Sequence, residues 1–190
     1  MIYYTISYNN PHRHFVDFEL STTTKGVNKM LFQLPAWRPG RYELANFAQN
    51  IQKWKAFDEN NNPLPFQKIT KDLWEVYTKG SKKITIKYNF YANQLDAGAC
   101  YLDEHQLYLN PVHCIFYIVE RIEEKYKLNL QIPKNYEIAT SMSIQENTLS
   151  ATGYDILAES PIICSDSLKH KTYEINGITF HLWFQGECKP

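Results

Sequence analysis

Apolar and polar side chains alternate along most of the chain. Ile2, Tyr4, Ile6 and Tyr8 interleave with Tyr3, Thr5 and Ser7. Beyond a turn at residues 9–11, Val16, Phe18 and Leu20 interleave with Phe15, Asp17 and Glu19. A period of two places each set on one side of a strand, so these segments predict two paired strands with one buried face. Ile84, Ile86, Tyr88 and Phe90 repeat the pattern against Thr85, Lys87 and Asn89, as do Tyr126, Leu128, Leu130 and Ile132 until Pro133. Residues 30–34 read as a strand, and residues 51–57 are expected to pair with 66–77 through the Asn- and Pro-containing turn at 58–65. Residues 107–119 read as one long apolar strand. Pro111 lies inside it and cannot donate to a ladder, which predicts a bulge or an edge position there. Residues 136–144 and 148–152 are expected as shorter strands. Residues 171–175 and 178–185 flank Asn176-Gly177, the dipeptide that a type I′ hairpin turn favours because both central residues need φ > 0.

One stretch departs from alternation. Residues 34–57 read LPAWRPGRYELANFAQNIQKWKAF, with Pro35, Trp37, Pro39 and Gly40 within six residues. The prolines fix φ and Gly40 is free to take φ > 0, so the preceding strand must stop. Residues 42–49 contain no proline or glycine and predict about two helical turns before strand resumes at 51. On residue types, Trp37, Pro39, Gly40 and Tyr42 form a structural corner, with Trp37 and Tyr42 as core plugs. About ten strands with one short helix define a mainly β chain, an antiparallel β-sandwich or a saddle-shaped open sheet, read as a single β domain over 1–190.

Composition changes this picture mostly by exclusion. The chain has 190 residues, 44% hydrophobic and 15% aromatic, with 20 basic and 20 acidic side chains and no net charge. That is enough to bury a sizeable core, and it recommends neither nucleic acid nor an anionic membrane as partner. The first residues lack the features of a signal peptide and no apolar run reaches membrane-span length, so a cytoplasmic location is expected. Cys100, Cys114, Cys164 and Cys188 are far apart without C-x-x-C and read as buried thiols. The histidines show no H-E-x-x-H and no i, i+4 pair, so no metal site and no catalytic residue are expected in this chain. His12-x-His14 is read as a solvated turn without a carboxylate nearby. There is no G-x-S-x-G elbow and no phosphate-cradling glycine loop.

The order Pro35-x-Trp37-x-Pro39-Gly40-x-Tyr42, followed by Lys71, Asp72, Trp74 and Val76, resembles the amino-terminal domain of the glycyl aminopeptidase family of zinc metallopeptidases. Residues 154–162 resemble that family's Asp-Ser-Pro segment, with Glu159 in the aspartate position before Ser160 and Pro161. The resemblance covers nearly the whole chain. It implies a saddle-shaped β domain preceding a thermolysin-like catalytic domain that is absent here, as in the leukotriene A4 hydrolase and aminopeptidase N relatives. It further implies zinc in that missing domain and peptide substrates with small amino-terminal residues such as glycine. Glu159, Ser160 and Pro161 would lie at the domain junction. In the relatives an amide side chain of this domain helps to hold the substrate's free amine. The comparable place here is residues 98–115, where Tyr101, Asp103, Asn110 and His113 are the substrate-facing candidates. The face at 98–113 and 154–162 is expected to be apolar, to meet the catalytic domain, and to favour dimerisation in isolation. The alternative is a stand-alone β-sandwich binding module for glycan or peptide, with Trp37, Trp54, Trp74 and Trp183 as stacking surfaces.

Overall fold

The computed structural model describes residues 1–38, 40–41 and 43–187. Pro39 and Tyr42 of the expected corner, and Cys188, lie outside them. Among the described residues the chain forms eighteen strands and two short helices, α1 (Pro111–Cys114) and α2 (Tyr154–Ala158). The largest sheet has eight strands in the order Ser143–Gln145, Thr148–Ala151, Tyr126–Leu130, Ile2–Ser7, Phe15–Thr23, Lys83–Tyr91, Ile51–Asp58 and Pro63–Leu64. Its pairings are antiparallel except that of Ile2–Ser7 with Tyr126–Leu130, which is parallel.

The alternation decides which face goes inside. Ile2, Tyr4, Ile6, Val16, Phe18, Leu20, Ile84, Ile86, Tyr88 and Phe90 are all buried, whereas their interleaved partners reach the surface. A one-residue slip in any strand would turn this entire set outward, so the apolar pattern specifies the register. Two four-stranded sheets cover this face. One contains Tyr117–Ile118, Lys29–Gln33, Leu73–Tyr77 and Phe66–Lys68; the other contains Glu137–Ala139, Ile162–Ser165, Gln106–Leu109 and Tyr101–Leu102. A single buried cluster joins all three.

Several expectations are corrected. Residues 66–77 do not pair with Ile51–Asp58: Leu73–Tyr77 pairs with Lys29–Gln33 and Phe66–Lys68 with Leu73–Tyr77, because Lys83–Tyr91 takes one edge of Ile51–Asp58 and Pro63–Leu64 the other. The Ile51–Asp58 strand also carries an irregularity between Gln52 and Lys55, with Lys53 at φ 54°. No helix forms over residues 43–46, where Ala45 N–H donates across the loop to the Ala36 carbonyl at 2.6 Å; a 3₁₀ turn, Phe47–Asn50, follows. The long strand expected over 107–119 ends at Leu109. Pro111 takes the first position of α1, where its missing N–H is no loss, rather than a bulge. Trp37 is 55% exposed and plugs no core, whereas Trp54 and Trp74 are buried and stacked together. The free thiols Cys100, Cys114 and Cys164 are buried.

The Asn176-Gly177 turn forms with φ 51° and 78° and closes the hairpin of Lys169–Ile175 with Ile178–Phe184. This hairpin is a sheet of its own. Among the described residues no helix is long and apolar enough to cross a membrane.

Candidate functional site

Three tyrosines on inward-facing or helical positions decide where the site lies. A buried phenol needs a hydrogen-bond partner, and here each finds a main-chain carbonyl in the segment after α1. Tyr88 Oη donates to the Cys114 carbonyl at 2.7 Å, Tyr154 Oη to that of Ile115 at 2.8 Å, and Tyr4 Oη to that of Phe116 at 3.0 Å. Tyr4 Oη also accepts from Phe116 N–H at 3.1 Å. Burial pushes all three phenols well above their ordinary pKa, so they remain donors at any physiological pH. Two strands of the large sheet that flank Phe15–Thr23, and α2, thus grip three successive peptide groups. The Asn110 backbone is held as well. Its N–H lies 3.3 Å from Cys100 Sγ and its carbonyl lies 3.6 Å from Cys114 Sγ.

Beside this anchored segment an open groove of about 670 Å³ runs across the surface. One wall is the corner, Pro35 to Arg38. α2 and the residues after it also line the groove, with Asp155, Ala158, Glu159 and Pro161, as do Gln33, Tyr117 and Tyr154, and Ala97, Asn110 and Val112. The lining is mainly apolar, but the rims carry opposite charge, Arg38 on the corner side and Asp155 with Glu159 on the α2 side. Exposed apolar residues sit on the same segments, with Trp37 at 55% and Ile156 at 52%.

Three segments singled out in the sequence therefore meet at one place, the corner (Trp37), the 98–115 segment (Asn110) and the junction (Glu159 and Pro161). The Asn110 amide donates to the Ala97 carbonyl at 3.4 Å. The other candidates do not share the groove. Asp103 closes a turn by accepting from His105 N–H at 2.8 Å and Gln106 N–H at 2.9 Å. Tyr101 packs beside His14. Ser160 is buried, donating to the Ile156 carbonyl at 2.6 Å and accepting from Ser141 Oγ at 2.8 Å. Gly40 is exposed at φ 85°, as its place in the turn requires.

His113 lines a smaller neighbouring cavity of about 160 Å³ with Phe47 and Arg41. Its ring stacks on Phe47 at 3.9 Å and its Nε2 is buried without a partner. Burial first, and the Arg38 guanidinium second, push its pKa down to about 4, so it is neutral near pH 7. Arg38 also packs against Gly98, where a Cβ would overlap the guanidinium. Arg38, Asp155 and the tyrosine clamp were not singled out in the sequence. The signal for the clamp was present, since Tyr4 and Tyr88 occupy positions where alternation calls for an apolar residue.

The expected isolation of His12 is corrected, because the fold brings Glu104 within 2.9 Å of its Nε2. Both side chains are more than half exposed, so the pair contributes little. Among the described residues no three His, Cys, Asp or Glu side chains converge as a metal ion requires. A zinc centre therefore does not fit the described residues.

The described residues thus form a mainly β domain of four sheets, antiparallel but for one pairing, with an open groove on its surface. Residues 3–166 match the model of the Peptidase M61 N-terminal domain, and the chain belongs to that family. An aminopeptidase N family protein from Idiomarina loihiensis is similar in structure, with TM-score 0.89 and 26% identity over 98% of this chain and 33% of its own. An M1 zinc metallopeptidase from Deinococcus radiodurans shares the fold at TM-score 0.51 and 9% identity, over 96% of this chain and 45% of its own. The chain thus spans about a third of the Idiomarina protein and under half of the Deinococcus one. No curated protein matches the chain.

Proposed function

We propose that this chain is the non-catalytic amino-terminal domain of a cytoplasmic zinc-dependent aminopeptidase acting on peptides with small amino-terminal residues such as glycine. Its groove faces the catalytic cleft of a following domain, which supplies the zinc, and helps to position the substrate. The observation that carries this reading is the convergence of Trp37, Asn110 and Glu159 on one groove, in a chain whose family is a peptidase amino-terminal domain. An amide and a carboxylate at such a wall are suitable partners for a substrate ammonium, whose burial unpaired would be costly. The same face would mediate dimerisation of the isolated chain. The binding-module alternative is weakened because Trp54 and Trp74, two of its four stacking candidates, belong to the core.

The test compares the product of the natural reading frame with the 190-residue chain. The former should bind zinc stoichiometrically and hydrolyse glycyl substrates, and the latter should do neither. Asn110→Ala in the larger protein should raise KM for glycyl substrates roughly tenfold with kcat little changed, as expected when a binding contact is removed. Reproducible turnover by the 190-residue chain, or a larger product with neither zinc nor peptidase activity, defeats the reading.

A further inference from the structure

The hairpin of Lys169–Ile175 with Ile178–Phe184 has a composition at odds with its surroundings. Residues directly opposite one another across the strands share a face. Tyr173 opposes Phe180, Ile175 opposes Ile178, Lys171 opposes Leu182 and Lys169 opposes Phe184, so one face is apolar toward the turn and along the whole second strand, with two lysines on the first strand near the base. The other face carries His170 opposite Trp183, Thr172 opposite His181 and Glu174 opposite Thr179. The apolar face is uncovered, with Tyr173 at 52%, Ile178 at 61% and Leu182 at 51% exposure. Both outer edges are unpaired among the described residues. An isolated two-stranded ribbon is marginal in water, and an unpaired strand edge without proline is a template for further pairing. The ribbon is tied to the body near its base, where Gln185 Nε2 donates to Ser165 Oγ at 2.7 Å and Ser167 Oγ at 3.1 Å.

Two comparisons bear on what covers it. The family match stops at residue 166, just before the hairpin. The Idiomarina structure aligns with 98% of this chain, far too much to leave the hairpin out, and two thirds of that protein lies beyond the aligned part. We infer that residues 169–184 are not part of the amino-terminal domain but a β-ribbon that docks into a following domain of the same polypeptide, extending that domain's sheet through a free edge and burying Tyr173, Ile178, Phe180 and Leu182 in its core. The inference rests on the proposed reading only for the existence of that domain, and it narrows the single domain expected over 1–190.

Hydrogen exchange read by mass spectrometry tests it without reference to zinc or hydrolysis. In the 190-residue chain, peptides covering 169–184 should exchange almost as fast as unstructured chain, while those covering the large sheet stay protected. In the product of the natural reading frame the same hairpin peptides should slow by roughly a hundredfold or more, as for amides in a packed sheet. Ile178→Asp with Phe180→Asp should leave the melting of the 190-residue chain unchanged and should remove hairpin protection in the larger product. Protection of the hairpin in the 190-residue chain that does not depend on concentration would assign it to this domain and overturn the inference. Protection that rises with concentration would make a second copy the occupant and overturn it equally. So would a larger product whose hairpin exchanges freely, or a reading frame that ends at the hairpin. A larger product that protects the hairpin yet hydrolyses no peptide would defeat the peptidase reading and leave this inference standing.

Discussion

The chain contains two hairpins written in nearly the same pattern, with opposite fates. In the first, Ile2–Ser7 with Phe15–Thr23, the apolar set Ile2, Tyr4, Ile6, Val16, Phe18 and Leu20 is no more than 2% exposed. In the last, Lys169–Ile175 with Ile178–Phe184, the set Tyr173, Ile175, Ile178, Phe180 and Leu182 runs from 41% at Phe180 to 61% at Ile178, and Phe184 at the base is half-buried. Alternation states that a face is to be covered, and it is silent about the cover. For the first hairpin the cover is two further sheets of the same chain; for the last it is absent from the described residues.

The sharpest way to break this contrast is to truncate one aromatic in each hairpin. Phe18 stacks on Tyr88 at 5.0 Å and meets Tyr4 edge-on. Phe18→Ala should lower stability in urea by about 3–5 kcal/mol, whereas Phe180→Ala in the 190-residue chain should change it by no more than about 0.5 kcal/mol. Equal effects would mean that the last hairpin is packed after all.

Acid should act on the body through His113. Its folded pKa lies below the ordinary value, so the folded state holds a neutral ring that the unfolded chain protonates below about pH 6.5. The contribution is present above pH 6.5 and lost as pH falls toward 4, up to about 3 kcal/mol over that window. Stability measured in urea from pH 7 to 4 should show this slope. His113→Phe, which keeps the stack on Phe47, should flatten it.

A smaller effect separates anchored from unanchored parts of the groove. Tyr154→Phe removes the hydroxyl that holds the Ile115 carbonyl and should lower stability by about 1–2 kcal/mol, because a buried acceptor loses its donor. Trp37→Ala, on the exposed wall, should fall within about 0.5 kcal/mol. A loss of several kcal/mol there would restore the corner as a core element.

Most of the fold was legible where period two was strong. The strands around Ile2, Val16, Ile84 and Tyr126, and the Asn176-Gly177 turn, form where alternation and turn chemistry place them. What failed had two physical causes. Strand pairing is non-local, so nothing in residues 51–77 told that Lys83–Tyr91 would displace 66–77 as the neighbour of Ile51–Asp58. Proline is ambiguous, being forbidden in a ladder yet favoured at a helix start, and Pro111 took the second option. At the site, Asn110, Glu159 and Trp37 were found through a resemblance in residue order. Arg38 and Asp155 join them only because segments some 120 residues apart pack together, which periodicity along one segment cannot express.

The parallel pairing of Ile2–Ser7 with Tyr126–Leu130 has a consequence for synthesis. Ile2–Ser7 is central in the large sheet, yet one of its two neighbours is encoded more than a hundred residues later. At a ribosomal rate of roughly 5–20 residues per second, the edge of Ile2–Ser7 stays open on the order of ten seconds in every newborn chain. Through that interval the antiparallel partner Phe15–Thr23 is its only shield on the sheet, and the apolar row Ile2, Tyr4 and Ile6 lacks its cover. Chaperone dependence in the cell is therefore expected to be set by arrival of Tyr126–Leu130 at the tunnel exit, and slowing translation between these strands should lower soluble yield even when the finished fold is unchanged.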